Sequence, residues 1–282
     1  MVERMVGVGG GVEVCAESFG DAGDPAVLLV MGLGASMLWW EDGFCRQLAA
    51  GGRFVVRYDH RDTGRSAGWE PGRPGYTGAD LAGDAVGVLD GYGIGAAHLV
   101  GVSAGGALAQ RVALGSPERV RSLVLVSTTS AVPGGPELPP PDEEFLRFAG
   151  TARQPDWTDE DQVVDYLVAY SRVLAGTRRP FDEPAARALI RADVERARDI
   201  AAARNHDILP EGEPPPAPLS AISAPTLVVH GTADPLFPFP HGEFLAEAIP
   251  GADLLPLEGA GHGIVRADWP ALLRAILAHT AA

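Results

Sequence analysis

The chain is poor in cysteine and in long apolar segments, and each of these absences excludes a class of protein. Its two cysteines, Cys15 and Cys45, stand in segments without metal-ligand spacing, so we expect neither a disulfide framework nor a metal site. Both are predicted to be buried, small apolar side chains. The apolar run from Ala26 to Trp40 is broken by glycines and is shorter than the roughly 20 residues that a bilayer requires. We therefore expect no membrane span.

The chain also has few basic residues relative to acidic ones. It contains 22 basic and 37 acidic residues, which give a formal net charge of −15. Such a balance repels nucleic acid and anionic membranes, which excludes both as partners. The first residues, Met1 to Met5, lack the apolar core of a secretion signal, so we expect a cytoplasmic protein. A chain of 282 residues that is 46% hydrophobic is long enough for one domain, or for one domain with an insertion.

One stretch carries the clearest chemical signal. The apolar run Ala97 to Val102 predicts a buried strand, and Ala104 to Leu114 has helical composition and ends at Gly115. Between them, Gly101-Val102-Ser103-Ala104-Gly105 fits the Gly-x-Ser-x-Gly pattern of a nucleophile elbow, in which a serine is exposed on a sharp strand-to-helix turn. A Cβ at either glycine would collide with the neighbouring backbone across so tight a bend. Ser103 is therefore the predicted nucleophile.

A second match to the same pattern, Gly64-Arg65-Ser66-Ala67-Gly68, lacks this context. It follows the charged segment Asp59 to Asp62 and precedes Trp69-Glu70-Pro71-Gly72, which cannot begin a helix. Ser66 is therefore a weak candidate, and we interpret the charged loop as a network that braces the loops around the site.

The remaining apolar runs alternate with helical patterns, which is typical of a parallel sheet covered by helices on both faces. Thr77 and Asp80 resemble a capping box at the start of one of these helices. We therefore predict an α/β fold with a mostly parallel central sheet. The predicted strands are Val12 to Phe19, Ala26 to Val30, Phe54 to Tyr58, Ala97 to Val102, Val120 to Ser127, Thr226 to His230 and Asp253 to Leu257; further helices are predicted at Trp40 to Ala50, Pro240 to Ile249 and Trp269 to His279.

An insertion interrupts this alternation between two proline-rich stretches, Pro133 to Pro141 and Pro210 to Pro218. Three helices are predicted inside it, at 143–150, after Thr158 and after Asp182, with no strand. We interpret 133–216 as a helical cap on a core formed by 1–132 and 217–282. The cap carries six aromatic residues; roughly two thirds of these should pack within the cap itself. Those we retain as possible substrate contacts are Trp157, Tyr166, Tyr170 and Phe181.

A serine nucleophile requires a base, and the base requires an orienting acid. Of the seven histidines, His262 alone follows the last predicted strand in a glycine-rich loop, from which its ring can reach Ser103. The acid is most simply Asp234, just past the end of a buried strand, because the strand before the cap ends in Ser127-Thr128-Thr129 without a carboxylate. The chain order Ser, Asp, His agrees with the order known for this type of site.

A glycine-rich loop, Met31 to Ser36, follows the strand Ala26 to Val30 and should lie at the carboxyl edge of the sheet, where open α/β folds bind ligands. Its backbone N–H groups are candidates to face a developing oxyanion. By itself the loop is an ordinary strand-to-helix connection, and it becomes a candidate only beside the serine elbow.

With these motifs in order, the sequence resembles the α/β-hydrolase fold superfamily over essentially its whole length. Within it, the chain is similar to the bacterial esterases related to aclacinomycin methylesterase. The resemblance implies that Ser103, Asp234 and His262 form the triad and that the N–H groups of Leu33 and Ala104 form the oxyanion hole. The similar segments are Val30-Met31-Gly32, Tyr58 to Ser66, and Pro240-His241-Gly242 through Ile249-Pro250 to Gly261-His262.

The predicted function is that of a serine hydrolase that cleaves carboxylic esters through an acyl-enzyme, without metal or organic cofactor. The resemblance implies a bulky apolar small-molecule substrate, such as the methyl ester of a natural product. Thioesterase, lactonase, cofactor-free perhydrolase and polyketide cyclase activities on the same triad are open alternatives. A non-catalytic ligand receptor is a further alternative, which an intact Ser, His and Asp set disfavours. A monomer and a homodimer fit the sequence equally well.

Overall fold

A computed structural model describes residues 2–281, and its centre is a single eight-stranded sheet. The strand order is β1-β2-β4-β3-β5-β6-β7-β8. β1 pairs antiparallel with β2 and β2 with β4, whereas all other neighbours are parallel. The strands are β1 (Arg4–Gly9), β2 (Val12–Phe19), β3 (Ala26–Val30), β4 (Phe54–Tyr58), β5 (Ala97–Val102), β6 (Val120–Val126), β7 (Thr226–Gly231) and β8 (Asp253–Leu257).

Eight α-helices connect or flank these strands within residues 2–281. They are α1 (Asp42–Ala50), α2 (Gly78–Gly91), α3 (Ala104–Gly115), α4 (Glu143–Thr151), α5 (Glu160–Ala175), α6 (Glu183–Arg196), α7 (Pro240–Ala248) and α8 (Trp269–His279). Short 3₁₀ segments lie at Met37–Trp39, Pro117–Arg119, Ile200–Ile208, Leu219–Ala221 and Arg266–Asp268. None of the helices in the described part of the chain combines the length and the apolar character that crossing a bilayer requires.

The central strands are continuous apolar runs because both faces of the sheet are covered. All five residues of β3 are buried, and their side chains alternate between two cores. Leu28 and Val30 point into a core shared with α2, α3 and α7, whereas Val27 and Leu29 point into a core shared with α1 and α8. The fold therefore has three layers, with the sheet in the middle.

The predicted α/β architecture is confirmed, including the capping box of Thr77 and Asp80 at the start of α2. One strand was missed, and the start of one helix was predicted wrongly. The edge strand β1 was not predicted from the sequence. The helix predicted from Trp40 begins instead at Asp42, because Trp40 has a non-helical backbone after the turn Met37–Trp39.

The insertion between β6 and β7 is helical, as predicted, and α4, α5 and α6 each begin after a capping aspartate: Asp142, Asp159 and Asp182, respectively. α5 and α6 share a small apolar core of their own, made by Val163, Val164, Val168, Ile190 and Val194. The division of the chain into a core of 1–132 with 217–282 and a cap of 133–216 stays a prediction.

Candidate active site

Ser103 stands between the end of β5 and the start of α3, with φ 55° and ψ −127°. A positive φ is rare for a residue with a side chain and is strained, so it persists only where surrounding contacts impose it. Here the Ser103 N–H donates to the Val126 carbonyl at 2.9 Å. The Thr128 hydroxyl donates to the Ser103 carbonyl at 2.6 Å. The two contacts come from the last residue of β6 and from the loop after it, and they hold the backbone of the turn.

The two glycines of the motif make this turn possible. A Cβ on Gly101 would lie 2.3 Å from the Gly105 carbonyl oxygen, and one on Gly105 would lie 2.2 Å from the Val30 carbonyl oxygen. The steric reason predicted for both glycines is therefore confirmed. Close approach of β3, β5 and α3 brings the backbone at Gly32 beside the serine, since a Cβ there would lie 3.2 Å from Ser103 Cβ.

Ser66, in the second match to the motif, lies in a buried turn with no helix after it. Its hydroxyl donates to the Asp59 carbonyl at 2.7 Å and accepts the Cys15 N–H at 2.8 Å. The hydroxyl therefore joins the loop after β4 to the strand β2 and is not exposed at a turn. Cys15 and Cys45 are both buried, as predicted, and burial raises the pKa of each thiol to about 12.

Asp234 and His262 come together at the carboxyl edge of the sheet, from the loops after β7 and β8. His262 Nδ1 lies 2.9 Å from Asp234 Oδ2. Asp234 Oδ1 accepts the N–H groups of Leu236 and Phe237, each at 2.9 Å. The carboxylate is buried, so these donors stabilise its charge and fix the oxygen that faces the imidazole.

The insertion holds the backbone of His262. Its N–H donates to the Leu174 carbonyl near the end of α5, at 2.8 Å. Gly261 must be glycine here, because a Cβ would lie 2.3 Å from the Ala175 carbonyl oxygen. The Phe237 ring packs edge-on against the imidazole, with centroids 5.5 Å apart. Asp234 and Phe237 therefore fix the imidazole ring from the core side, and α5 fixes the backbone of His262 from the insertion.

The structure joins two of the three predicted triad residues directly. Across residues 2–281, the His262 ring is hydrogen-bonded to Asp234 and not to the Ser103 hydroxyl. The hydrogen bond between a catalytic base and its nucleophile tightens when substrate binds. In the same range, the N–H groups of Leu33 and Ala104 donate to no other backbone group. Ala104 is the first residue of α3, where N–H groups lack helical partners.

His230 is a neighbour of the acid that sequence reasoning did not single out. Its Nε2 donates to the Phe237 carbonyl at 2.7 Å and lies 3.6 Å from Asp234 Oδ2. Burial lowers the pKa of His230, which favours a neutral ring that links the end of β7 to the Asp234 loop. The nearest signal in the sequence was its spacing of four residues from Asp234.

The charged loop after β4 braces the site, as predicted. Arg61 holds Asp84 through two hydrogen bonds of 2.7 Å each. Asp59 accepts the Met37 N–H at 2.9 Å and pairs with Arg196 at 2.8 Å. The loop thus joins α2, the segment after β3 and the end of α6.

The aromatic residues predicted as substrate contacts are all half-buried. Trp157 and Phe181 pack against the apolar core of α5 and α6. Tyr166 and Tyr170 pack against Phe148 of α4, with ring centroids 5.8 and 5.9 Å apart. Burial raises the pKa of Tyr170 to about 12. Their role toward substrate stays a prediction.

Comparisons with known proteins give independent evidence for the fold. Residues 25–265 match the alpha/beta hydrolase fold family. Rhodomycin D methylesterase of Streptomyces peucetius is 36% identical, covering 96% of this chain and 96% of that protein. A putative carbamate hydrolase of Variovorax paradoxus is 34% identical over 89% of this chain and 90% of its own. Among solved structures, 2-hydroxy-6-oxo-6-phenylhexa-2,4-dienoate hydrolase from Rhodococcus sp. strain RHA1 has the same fold, with a TM-score of 0.77 at 22% identity, covering 100% of this chain and 99% of that one.

Proposed function

The chain belongs to the alpha/beta hydrolase fold family, and on this premise we propose that it hydrolyses carboxylic esters, with Ser103 as the nucleophile. The observation that carries the proposal is the serine held at positive φ on a strand-to-helix turn, at the same sheet edge as a hydrogen-bonded His262–Asp234 pair. A serine hydroxyl is a weak nucleophile until a base removes its proton.

The proposed reaction begins when His262 Nε2 accepts the proton of the Ser103 hydroxyl as its oxygen attacks the ester carbonyl. His262 Nδ1 carries the proton that is donated to Asp234 Oδ2, which fixes the tautomer that leaves Nε2 free to accept. The imidazolium then protonates the leaving alcohol. Water enters, loses a proton to His262 and attacks the acyl-enzyme. The imidazolium then returns that proton to the departing Ser103 oxygen, and the acid is released.

We assign the N–H groups of Leu33 and Ala104 as the donors that stabilise the negative charge on the carbonyl oxygen during each attack. Ala104 opens α3, whose N-terminal dipole also favours an anion. Donors fixed in place before the reaction stabilise the transition state without reorganisation, which is why this contribution is large in hydrolases.

For the substrate we propose a bulky apolar small molecule with a methyl ester. Support comes from the relative named rhodomycin D methylesterase and from the half-buried aromatic side chains of the insertion. The residues proposed to contact it are Trp157, Tyr166, Tyr170 and Phe181. A cytoplasmic location and a monomeric or homodimeric state are parts of the same proposal, and light scattering measures the latter.

Hydrolysis of p-nitrophenyl esters of graded acyl length, together with aromatic methyl esters, tests the proposal. Ser103→Ala should lose about 10³-fold or more of kcat. Ser66→Ala, which alters the other copy of the motif, is the matched control and should keep most of the activity. Turnover that survives in Ser103→Ala would contradict the proposal, and turnover of thioesters or lactones alone would assign a different substrate class to the same serine.

A further inference from the structure

Two buried histidines hold the backbone of the loop after β3 on either side of Leu33. His60 Nε2 donates to the Met31 carbonyl at 2.8 Å. The Gly34 N–H donates to His206 Nδ1 at 2.7 Å. The peptide between Gly32 and Leu33 is therefore the free unit between two anchored ones, and it carries the Leu33 N–H.

The partners of His206 determine its protonation state. A backbone N–H can only donate, so Nδ1 must carry a lone pair toward Gly34. His206 Nε2 lies 2.8 Å from the Arg61 carbonyl oxygen, which can only accept, so Nε2 must carry the proton. Burial lowers the pKa of His206 to about 3. The ring thus stays neutral, with a single tautomer, at any pH where a hydrolase of this type is assayed.

The segment that carries His206 is itself anchored to the core. The neighbouring Asn205 donates to Asp62 Oδ2 at 2.9 Å and accepts the Gly72 N–H at 2.7 Å. Both Asn205 and His206 are buried. His206 follows α6 in the chain and belongs to the insertion. A residue of the insertion therefore contacts the backbone of the core loop at Gly34, close to Ser103.

Glycines on both sides of Leu33 make this external anchor necessary. Gly34 has φ +75°, and the structure places nothing within 4 Å of where its Cβ would be. The backbone dihedral angles of glycine vary at little energetic cost. The local sequence therefore does not fix the direction of the Leu33 N–H. Contacts from elsewhere in the chain must do so.

We propose that His206 is a positioning residue of the hydrolytic site, which holds the Gly34 N–H so that the Leu33 N–H points at the developing oxyanion. This inference rests on the proposed ester hydrolysis. Loss of one oxyanion donor costs about 10²- to 10³-fold in kcat, and a displaced donor should cost less. We therefore expect a loss of about 10- to 100-fold in kcat when the anchor is removed.

Two substitutions separate the two hydrogen bonds of the ring. Asn places its Oδ1 near the position of Nδ1, so His206→Asn keeps an acceptor for Gly34 and loses the bond to Arg61. Gln places its terminal amide near Nε2, so His206→Gln keeps the bond to Arg61 and loses the acceptor. We expect His206→Asn to retain most of the wild-type kcat, and His206→Gln to lose about 10- to 100-fold with KM within about threefold.

The matched control is His98→Gln, another buried histidine, which lies at the amino end of β5 and hydrogen-bonds Ser122 at 2.8 Å. It should keep the wild-type kcat. Hydrogen exchange of the peptide that contains Gly34 adds a readout independent of turnover, and exchange should accelerate in His206→Gln alone. Equal kcat in His206→Asn and His206→Gln, or unchanged exchange in His206→Gln, would overturn the role of His206 and leave the ester hydrolase standing. A wild-type protein without Ser103-dependent turnover would overturn both.

Discussion

A methyl group on Gly101 would lie 2.3 Å from the carbonyl oxygen of Gly105. This approach, across the turn that carries Ser103, is closer than any real Cβ contact and involves backbone atoms that cannot move aside. The turn that carries Ser103 therefore requires glycine at both Gly101 and Gly105.

Gly101→Ala should consequently destabilise the protein by several kcal/mol or prevent folding, because β5 and α3 must separate. Gly115→Ala, at the end of the same helix, is the control: nothing lies within 4 Å of its Cβ position, so its free energy of unfolding should be near that of the wild type. Urea unfolding measures both. Equal stability of the two variants would contradict the packing described for the turn.

The hydrogen bond between His262 and Asp234 predicts a specific kinetic effect. In Asp234→Asn the amide cannot hold the Nδ1–H tautomer as a carboxylate does, so kcat should fall by roughly 10³- to 10⁴-fold. Asp253→Asn, an exposed position at the start of β8, should leave kcat unchanged. Steady-state kinetics on one p-nitrophenyl ester measures kcat for both variants. A fall of less than tenfold in the kcat of Asp234→Asn would exclude Asp234 as the orienting acid.

How much of this site was predictable differs from residue to residue. Ser103 and the strand that precedes it follow from local patterns, since buried parallel strands are continuous apolar runs and the elbow needs glycines at fixed spacing. Asp234 and His262 follow from their positions after β7 and β8, and their hydrogen bond is what the sequence implied. β1 was missed because Arg4–Gly9 is an edge strand that contains two glycines, which weaken a strand pattern.

The contact made by His206 could not be predicted from the sequence. Its contact with Gly34 joins residues that are 172 positions apart in the sequence. No local sequence pattern predicts a contact between residues so far apart. From the sequence, His206 is placed in the insertion without an assigned role. Only the folded chain shows that an element of the insertion and a core loop meet there.

The ion pair between Arg61 and Asp84 predicts a large effect on stability. Both side chains are buried, so Asp84→Asn leaves the guanidinium without its counter-charge and should cost about 3 to 5 kcal/mol. The pair of Arg73 and Glu70 is exposed, with 77% and 68% of the side chains accessible. Glu70→Gln should therefore cost less than about 1 kcal/mol. Urea unfolding of both variants measures the difference, and similar costs would show that the Arg61 pair does not brace the loop.

His98 predicts a pH dependence of stability. Burial lowers its pKa to about 4 in the folded chain from the ordinary value of 6.5. Between these values the unfolded chain binds a proton that the folded chain does not, so the free energy of unfolding decreases as the pH is lowered, by about 1.4 kcal/mol per pH unit. His98→Gln lacks this contribution. Its stability deficit relative to the wild type should narrow by about 2 kcal/mol between about pH 7 and about pH 5; urea unfolding that finds the same deficit at both pH values would contradict the assignment.

Covalent labelling tests most directly whether Ser103 is the nucleophile. A fluorophosphonate reacts with a serine that an adjacent base activates, and mass spectrometry of the digested protein locates the adduct. We predict one adduct per chain, on Ser103, present in Ser66→Ala and absent in Ser103→Ala. An adduct on another residue, or an unlabelled wild-type protein, would contradict the assignment of Ser103 as the nucleophile.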